Sequence, residues 1–139
     1  MTPSAATQAH GQAILAQFEA RGAMRVETGI LQPADTLLEL YGEDIRARAY
    51  TAADPLRGEQ MLRPDFTVPV VQMHMEKGAN PARYAYLGPV FRRQERDPDR
   101  PSEYLQVGYE VFDADRAEAD AEVFLALQAA MGNVPTRTV

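Results

Sequence analysis

The sequence predicts an α+β fold, an antiparallel sheet flanked by helices, and three patterns carry that expectation. Two apolar and aromatic runs, Arg83–Arg92 and Glu103–Phe112, bracket a polar loop broken by Pro98 and Pro101. They read as a hairpin with a charged tip. A turn cluster, Asp54-Pro55-Leu56-Arg57-Gly58, separates Ala47–Ala52 from Gln60–Arg63 and predicts a second hairpin. Helical stripes of apolar residues lie near both ends of the chain.

Taken in order, Ala5–Ala20 is alanine-rich, with Ile14, Leu15 and Phe18 on one helical stripe and Gly22 placed to stop it. Met24–Ile30 suits a short strand and Gln32-Pro33 a turn. Asp35 is placed to cap a helical stretch over Thr36–Tyr41, with Leu37, Leu38 and Leu40 as its apolar side. After the second hairpin the strand ends at Leu62-Arg63-Pro64. A helix starts near Thr67, a good N-cap, with Pro69 in its first turn and Gly78 at its end. Val70, Val71, Met73, His74 and Met75 make that helix apolar over much of its circumference. His74 reads as a packed core residue rather than a catalyst. Beyond the central hairpin, the acidic residues of Asp113–Asp120 suit the start of a helix. Val123, Phe124 and Leu127 form its packing stripe, and Gly132-Asn133 with Pro135 ends it.

At 139 residues the chain makes one domain at most. Hydrophobic residues at 45% and charged residues at 24% are those of a globular protein. A net charge of −6 argues against a nucleic-acid surface as its main role. The absence of cysteine excludes disulfides, a thiolate nucleophile and thiolate metal sites, and two histidines do not make a metal centre by themselves. No apolar run approaches the ~18 residues of a membrane span, and the N-terminus has no signal-peptide pattern, so a cytoplasmic location is expected.

Alternation along the second strand of the central hairpin divides its residues into two faces. Leu105, Val107, Tyr109 and Val111 form an ordinary core face, while Gln106, Gly108, Glu110 and Phe112 point the other way. On the first strand, Tyr86, Gly88, Val90 and Arg92 share a face in the same manner. Glycine inside a strand often marks close approach of a ligand or another backbone. Arg92, Gln106 and Glu110 around two glycine gaps suit a small zwitterion, with a cation for its carboxylate and an anion for its ammonium group. The alternative is a solvent-facing sheet carrying ordinary polar residues. Asp65 and Thr67 fall at a strand-to-helix junction, where they suit helix capping as well as binding.

Gly88-Pro-Val-Phe-Arg92, followed by Tyr104-Leu-Gln106-Val-Gly108-Tyr-Glu110-Val-Phe112, resembles motif 2 of class II aminoacyl-tRNA synthetases in its histidyl-tRNA synthetase form. Leu62-Arg63-Pro64-Asp65-Phe66-Thr67 is similar to that family's Leu-Arg-Pro-Glu-Gly-Thr segment, and Pro33 stands where motif 1 carries its proline. The wording is closer to the synthetase-like regulatory subunits of ATP phosphoribosyltransferase. The likeness runs from about Ala9 to Met131, so residues 1–139 read as the N-terminal part of a class II synthetase-like domain. Within it the motif 1 region is about 9–50, the Leu-Arg-Pro segment 62–67, the motif 2 hairpin 83–112 and the following helix about 116–131. The resemblance implies a homodimer through the motif 1 region and a histidine site in which Asp65 holds the amino group and Thr67 donates a hydrogen bond, alongside Arg92, Gln106 and Glu110.

Departures from the pattern select within the superfamily. Gln94 stands where motif 2 has the glutamate that reaches adenine, and Glu95 is one residue late. Ser102 replaces an arginine before the second strand, and Phe66 replaces a glycine. Each change weakens nucleotide handling and leaves the amino-acid contacts in place. Motif 3, the histidine-specific segment and an anticodon-binding domain are missing, so the fold is expected to be incomplete and marginal unless partnered. The resemblance therefore implies a non-catalytic regulatory subunit with no cofactor and no metal. It would partner a short-form ATP phosphoribosyltransferase catalytic subunit and respond to L-histidine, without nucleic acid or membrane. The alternatives are the N-terminal part of a histidyl-tRNA synthetase and a purely scaffolding dimer module.

Overall fold

The computed structural model describes residues 3–132. Eleven elements follow in the order α1 (Ala5–Ala20), β1 (Met24–Arg25), β2 (Leu31–Pro33), α2 (Ala34–Tyr41), α3 (Ile45–Arg48), β3 (Thr51–Asp54), β4 (Gly58–Leu62), α4 (Thr67–Lys77), β5 (Ala82–Phe91), β6 (Glu103–Phe112) and α5 (Arg116–Met131). The class is α+β, but the strands form two sheets rather than one, ordered β1-β5-β6 and β2-β4-β3. All pairings are antiparallel except β1 with β5.

The expected strand over Met24–Ile30 divides between the two sheets. Met24 and Arg25 pair with Tyr84 and Ala85, and the Val26 amide still reaches the Ala85 carbonyl at 2.9 Å. Further on, the Thr28 carbonyl accepts from the Arg63 guanidinium at 2.7 Å, and the Gly29 carbonyl accepts from the Gln32 side chain at 2.5 Å. Those bonds draw the chain away from β5. Gln32-Pro33 is then not a turn but the end of β2, paired with Met61 and Gln60. Pro33 precedes α2 and Asp35 lies inside its first turn without capping it. The 54–58 turn forms as expected, while Ala47 and Arg48 belong to α3 rather than to the strand before it.

Ser4 caps α1 by accepting from the Thr7 amide at 3.1 Å, and the helix lays Ile14, Leu15 and Phe18 on one face of the hairpin. Phe18 stacks on Tyr109 with ring centroids 5.1 Å apart. Asp115 caps α5 through the Glu118 amide at 3.1 Å. Of the expected stripe Val123 packs on the core, joined by Ala126 and Ala130, while Phe124 and Leu127 are exposed. Glu122 fixes that rotation by accepting two 2.7 Å bonds from Arg83 and one of 2.8 Å from Tyr109, and the small alanines then allow close approach to α1. Gly132 follows the helix, and the stop signals Asn133 and Pro135 lie outside the described residues.

The opposite face of the hairpin is covered rather than solvated. Val70 from α4 and Phe66 pack there on Tyr84, Tyr86 and Val90. His74 is a core residue as expected, held by the Tyr84 hydroxyl at 2.7 Å and Asn80 at 2.9 Å and stacked on Phe112. A third cluster of Ala34, Leu37, Ile45, Ala49 and Met61 joins α2 and α3 to the smaller sheet. No helix among the described residues is long and apolar enough to cross a membrane.

Register in the hairpin places Tyr86 opposite Gly108 and Gly88 opposite Gln106. The Tyr86 ring, 4% exposed, lies across Gly108 where a Cβ would stand. Gly108→Ala is therefore expected to cost about 1–3 kcal/mol by overpacking, measurable as a lower urea midpoint. An unchanged midpoint would show that Tyr86 can leave its place freely.

Candidate ligand-binding site

The junction between β4 and α4 is laid across the hairpin and bonded to it almost residue by residue. Arg63 donates to the Pro89 carbonyl at 2.9 Å, and its own carbonyl accepts from the Phe91 amide at 3.1 Å. The Pro64 carbonyl accepts from Arg92 Nε at 3.1 Å. Gln106 Oε1 accepts from the Phe66 amide at 3.1 Å, and the Thr67 hydroxyl reaches Glu110 Oε1 at 3.3 Å. The five sequence-predicted residues Asp65, Thr67, Arg92, Gln106 and Glu110 thus meet along one seam.

Capping and site geometry coexist at this junction. Asp65 Oδ1 accepts from the Thr67 amide at 3.0 Å, so the aspartate serves the first turn of α4, and Thr67 is its first helical residue rather than its N-cap. Two tyrosines complete the acidic side. The Tyr41 hydroxyl lies astride the Asp65 carboxylate, 2.8 and 2.7 Å from its oxygens, and the Tyr86 hydroxyl donates to Glu110 Oε1 at 3.1 Å. Both phenols are pushed well above their ordinary range, first by burial and then by their carboxylate neighbours. The Glu110 carboxyl is also raised from its ordinary 4.5, chiefly by burial; bonds from Tyr86 and Thr67 oppose the shift, and the Asp65 charge adds to it.

The glycine gaps do not open onto solvent. A Cβ on Gly88 would stand 2.8 Å from Phe66 Cζ and 2.6 Å from Arg63 Nη2. Phe66, 1% exposed, stacks on Tyr86 at 4.5 Å and carries the Arg63 guanidinium 4.1 Å from its centroid. Both gaps are therefore filled by the protein's own aromatic rings. Toward the loop, Arg92 faces Tyr104 at 5.7 Å, and with Arg48, Arg93 and Arg100 these residues line an open cleft of about 530 Å³. The Arg93 amide bonds the Arg48 carbonyl at 2.8 Å, which anchors the loop base on α3. Chemically the seam offers two carboxylates and a hydroxyl on one side and a guanidinium on the other.

Tyr41, Tyr86 and Arg63 are absent from the site residues chosen from sequence. Tyr86 had a signal, since it shares a strand face with Gly88 and Arg92. Tyr41 had none, because its partner is 24 residues away and its neighbours read only as an apolar helix end.

A long hairpin crossed by a strand-to-helix junction, with helices on both faces, is the core of a class II synthetase-like fold. A Bacillus halodurans structure, described as an ATP phosphoribosyltransferase regulatory subunit/histidyl-tRNA synthetase, matches with TM-score 0.78 at 24% identity, over 94% of this chain and 34% of that one. A histidine–tRNA ligase subunit from Alicyclobacillus acidocaldarius matches with TM-score 0.71 at 22% identity, over 99% and 41%. The family model described as histidyl-tRNA synthetase matches residues 2–139, and the chain belongs to that family. Among its relatives, the ATP phosphoribosyltransferase regulatory subunit of Sinorhizobium medicae is 44% identical over 112 residues, 79% of this chain and 29% of that protein. The protein of the same name from Agrobacterium fabrum is 40% identical over 114 residues, 81% and 30%. The chain thus spans less than a third of the length of these curated relatives.

The raised Glu110 carboxyl has a consequence for stability. The folded state prefers the protonated form, so ionised Glu110 opposes folding at neutral pH, and the opposition fades as pH falls through the raised value toward 4.5. Glu110→Gln keeps an acceptor for Tyr86 and is expected to raise the urea midpoint at neutral pH. Its advantage should vanish in acid. An advantage that grows toward acid pH would contradict the burial of this carboxylate.

Proposed function

We propose that the chain acts as the N-terminal part of a regulatory subunit of ATP phosphoribosyltransferase. In this reading it partners a short-form catalytic subunit in the cytoplasm, is required for that subunit's activity, and binds L-histidine as the feedback inhibitor of the first step of histidine biosynthesis. It catalyses nothing itself and needs no cofactor, metal, nucleic acid or membrane. The observation that carries the reading is the convergence of Asp65, Thr67, Arg92, Gln106 and Glu110 on one seam. The name shared by relatives at 40–44% identity supports it.

Asp65 receives the ammonium group of histidine, with the Thr67 hydroxyl beside it. Arg92 is tied to Pro64 through Nε, which leaves its terminal nitrogens for the ligand carboxylate, and the Gln106 amide nitrogen lies on the same seam. Glu110 shares Oε1 with Tyr86 and Thr67, leaving Oε2 for an imidazole N–H. Histidine regulates by binding one arrangement of the heteromer more tightly than the other. A homodimer forms through the motif 1 region, where Met24, Ile30 and Leu31 are exposed. Phe66 occupies the space above Gly88, and Gln94 is turned to the Pro101 carbonyl at 3.3 Å, an arrangement that favours sensing over nucleotide chemistry.

Two measurements test this. Arg92→Ala is expected to weaken histidine binding at least about 100-fold, the loss of two charge-assisted bonds, as read by calorimetry. Turnover of a short-form catalytic subunit should rise when the protein is added and fall again with histidine. Histidine-dependent ATP–pyrophosphate exchange by the protein would instead identify a synthetase.

A further inference from the structure

The Tyr41 ring packs on the cluster that joins α2 and α3 to the smaller sheet, but neither that packing nor capping accounts for where its hydroxyl goes. Tyr41 ends α2, which rides on the smaller sheet, yet its hydroxyl spans both oxygens of Asp65 at 2.8 and 2.7 Å. The turn into helix α4 is already served by Asp65 and the Thr67 amide. A carboxylate has about four acceptor positions. The hydroxyl takes a position on each oxygen and the amide a second one on Oδ1, which stops rotation of the group and leaves one, on Oδ2, in a fixed direction. The charges of Arg92 and Arg48 also act on the Tyr41 hydroxyl, opposing the effect of its burial. It therefore stands where the acidic and basic sides of the seam meet.

We propose that Tyr41 is a positioning residue of the ligand site, holding the Asp65 carboxylate in the orientation that receives a ligand's ammonium group. This rests on the histidine-site reading above. It makes α2, through Tyr41, the element that registers whether the ammonium position is filled. The hydroxyl shares Asp65 with the incoming cation, so occupancy redistributes the charge that Tyr41 faces. The preference it confers is for α-amino ligands over otherwise identical acids.

The test uses the whole chain, with L-histidine and its des-amino analogue imidazole-propionate as probes. The wild-type chain is expected to bind histidine more tightly than the analogue. Tyr41→Phe keeps the ring and is expected to weaken histidine about tenfold while leaving imidazole-propionate within about twofold. Combining it with Asp65→Asn should weaken histidine no further than Asp65→Asn alone. In the wild-type chain, the NMR signal of the Tyr41 phenol carbon should move on adding histidine and stay in place with the analogue, a readout that does not depend on the variant folding. Equal losses for both ligands, unchanged discrimination, or a Tyr41 signal that ignores histidine would overturn the role of Tyr41 and leave the site standing. A wild-type chain that binds neither probe would remove the site itself, and this role with it.

Discussion

The buried guanidinium of Arg63 is the strut on which the site depends. It is 5% exposed and lies between two chain segments, donating to the carbonyls of Pro89 and Thr28. Among the described residues no carboxylate pairs with it directly; burial lowers its pKa, and the more distant charge of Glu27 works the other way. Burying a cation in this manner is costly unless its hydrogen bonds are satisfied, so the carbonyls that satisfy it are held firmly. One consequence is the departure of the chain from β5 after Val26, which divides the strands into two sheets. The other is the fixed crossing of residues 63–67 over the hairpin.

From that crossing follows the chemistry. Asp65 and Glu110 are both acidic, and after burial the field of Asp65 helps to raise the Glu110 carboxyl. Two tyrosine hydroxyls and a threonine hydroxyl moderate the repulsion between them without neutralising it. An arriving cation would relieve it, and the Arg92 side of the seam would hold the anion joined to that cation. A zwitterionic ligand meets both requirements at once, which neither a simple acid nor a simple amine does.

The parts of this fold legible from sequence are those whose signals are local. Alternation in 103–112 separated the Tyr109 face from the Glu110 face, and the turn residues at 54–58 located the smaller hairpin. Alternation put Arg92, Gln106 and Glu110 together, and the likeness of 62–67 to the synthetase segment added Asp65 and Thr67. What escaped was set by distant partners. Phe124 and Leu127 read as a packing stripe, but the ion pair between Glu122 and Arg83, 39 residues apart, turns α5 so that alanines face inward. The glycines at 88 and 108 read as places where a ligand or another backbone comes close; the rings of Phe66 and Tyr86 fill them instead, which nothing local announces. The bond from Tyr41 to Asp65 escaped for the same reason.

The most direct measurement is a backbone-amide NMR titration of the chain with L-histidine. Saturable shifts are expected at Phe66 and Thr67, whose amides bond Gln106 and Asp65, and along Gln106–Glu110 on the facing strand. Helix α5, on the other face of the hairpin, should change little. Shifts confined to α5 or to the loop tip, or none at all as histidine is raised, would contradict a histidine site at this seam.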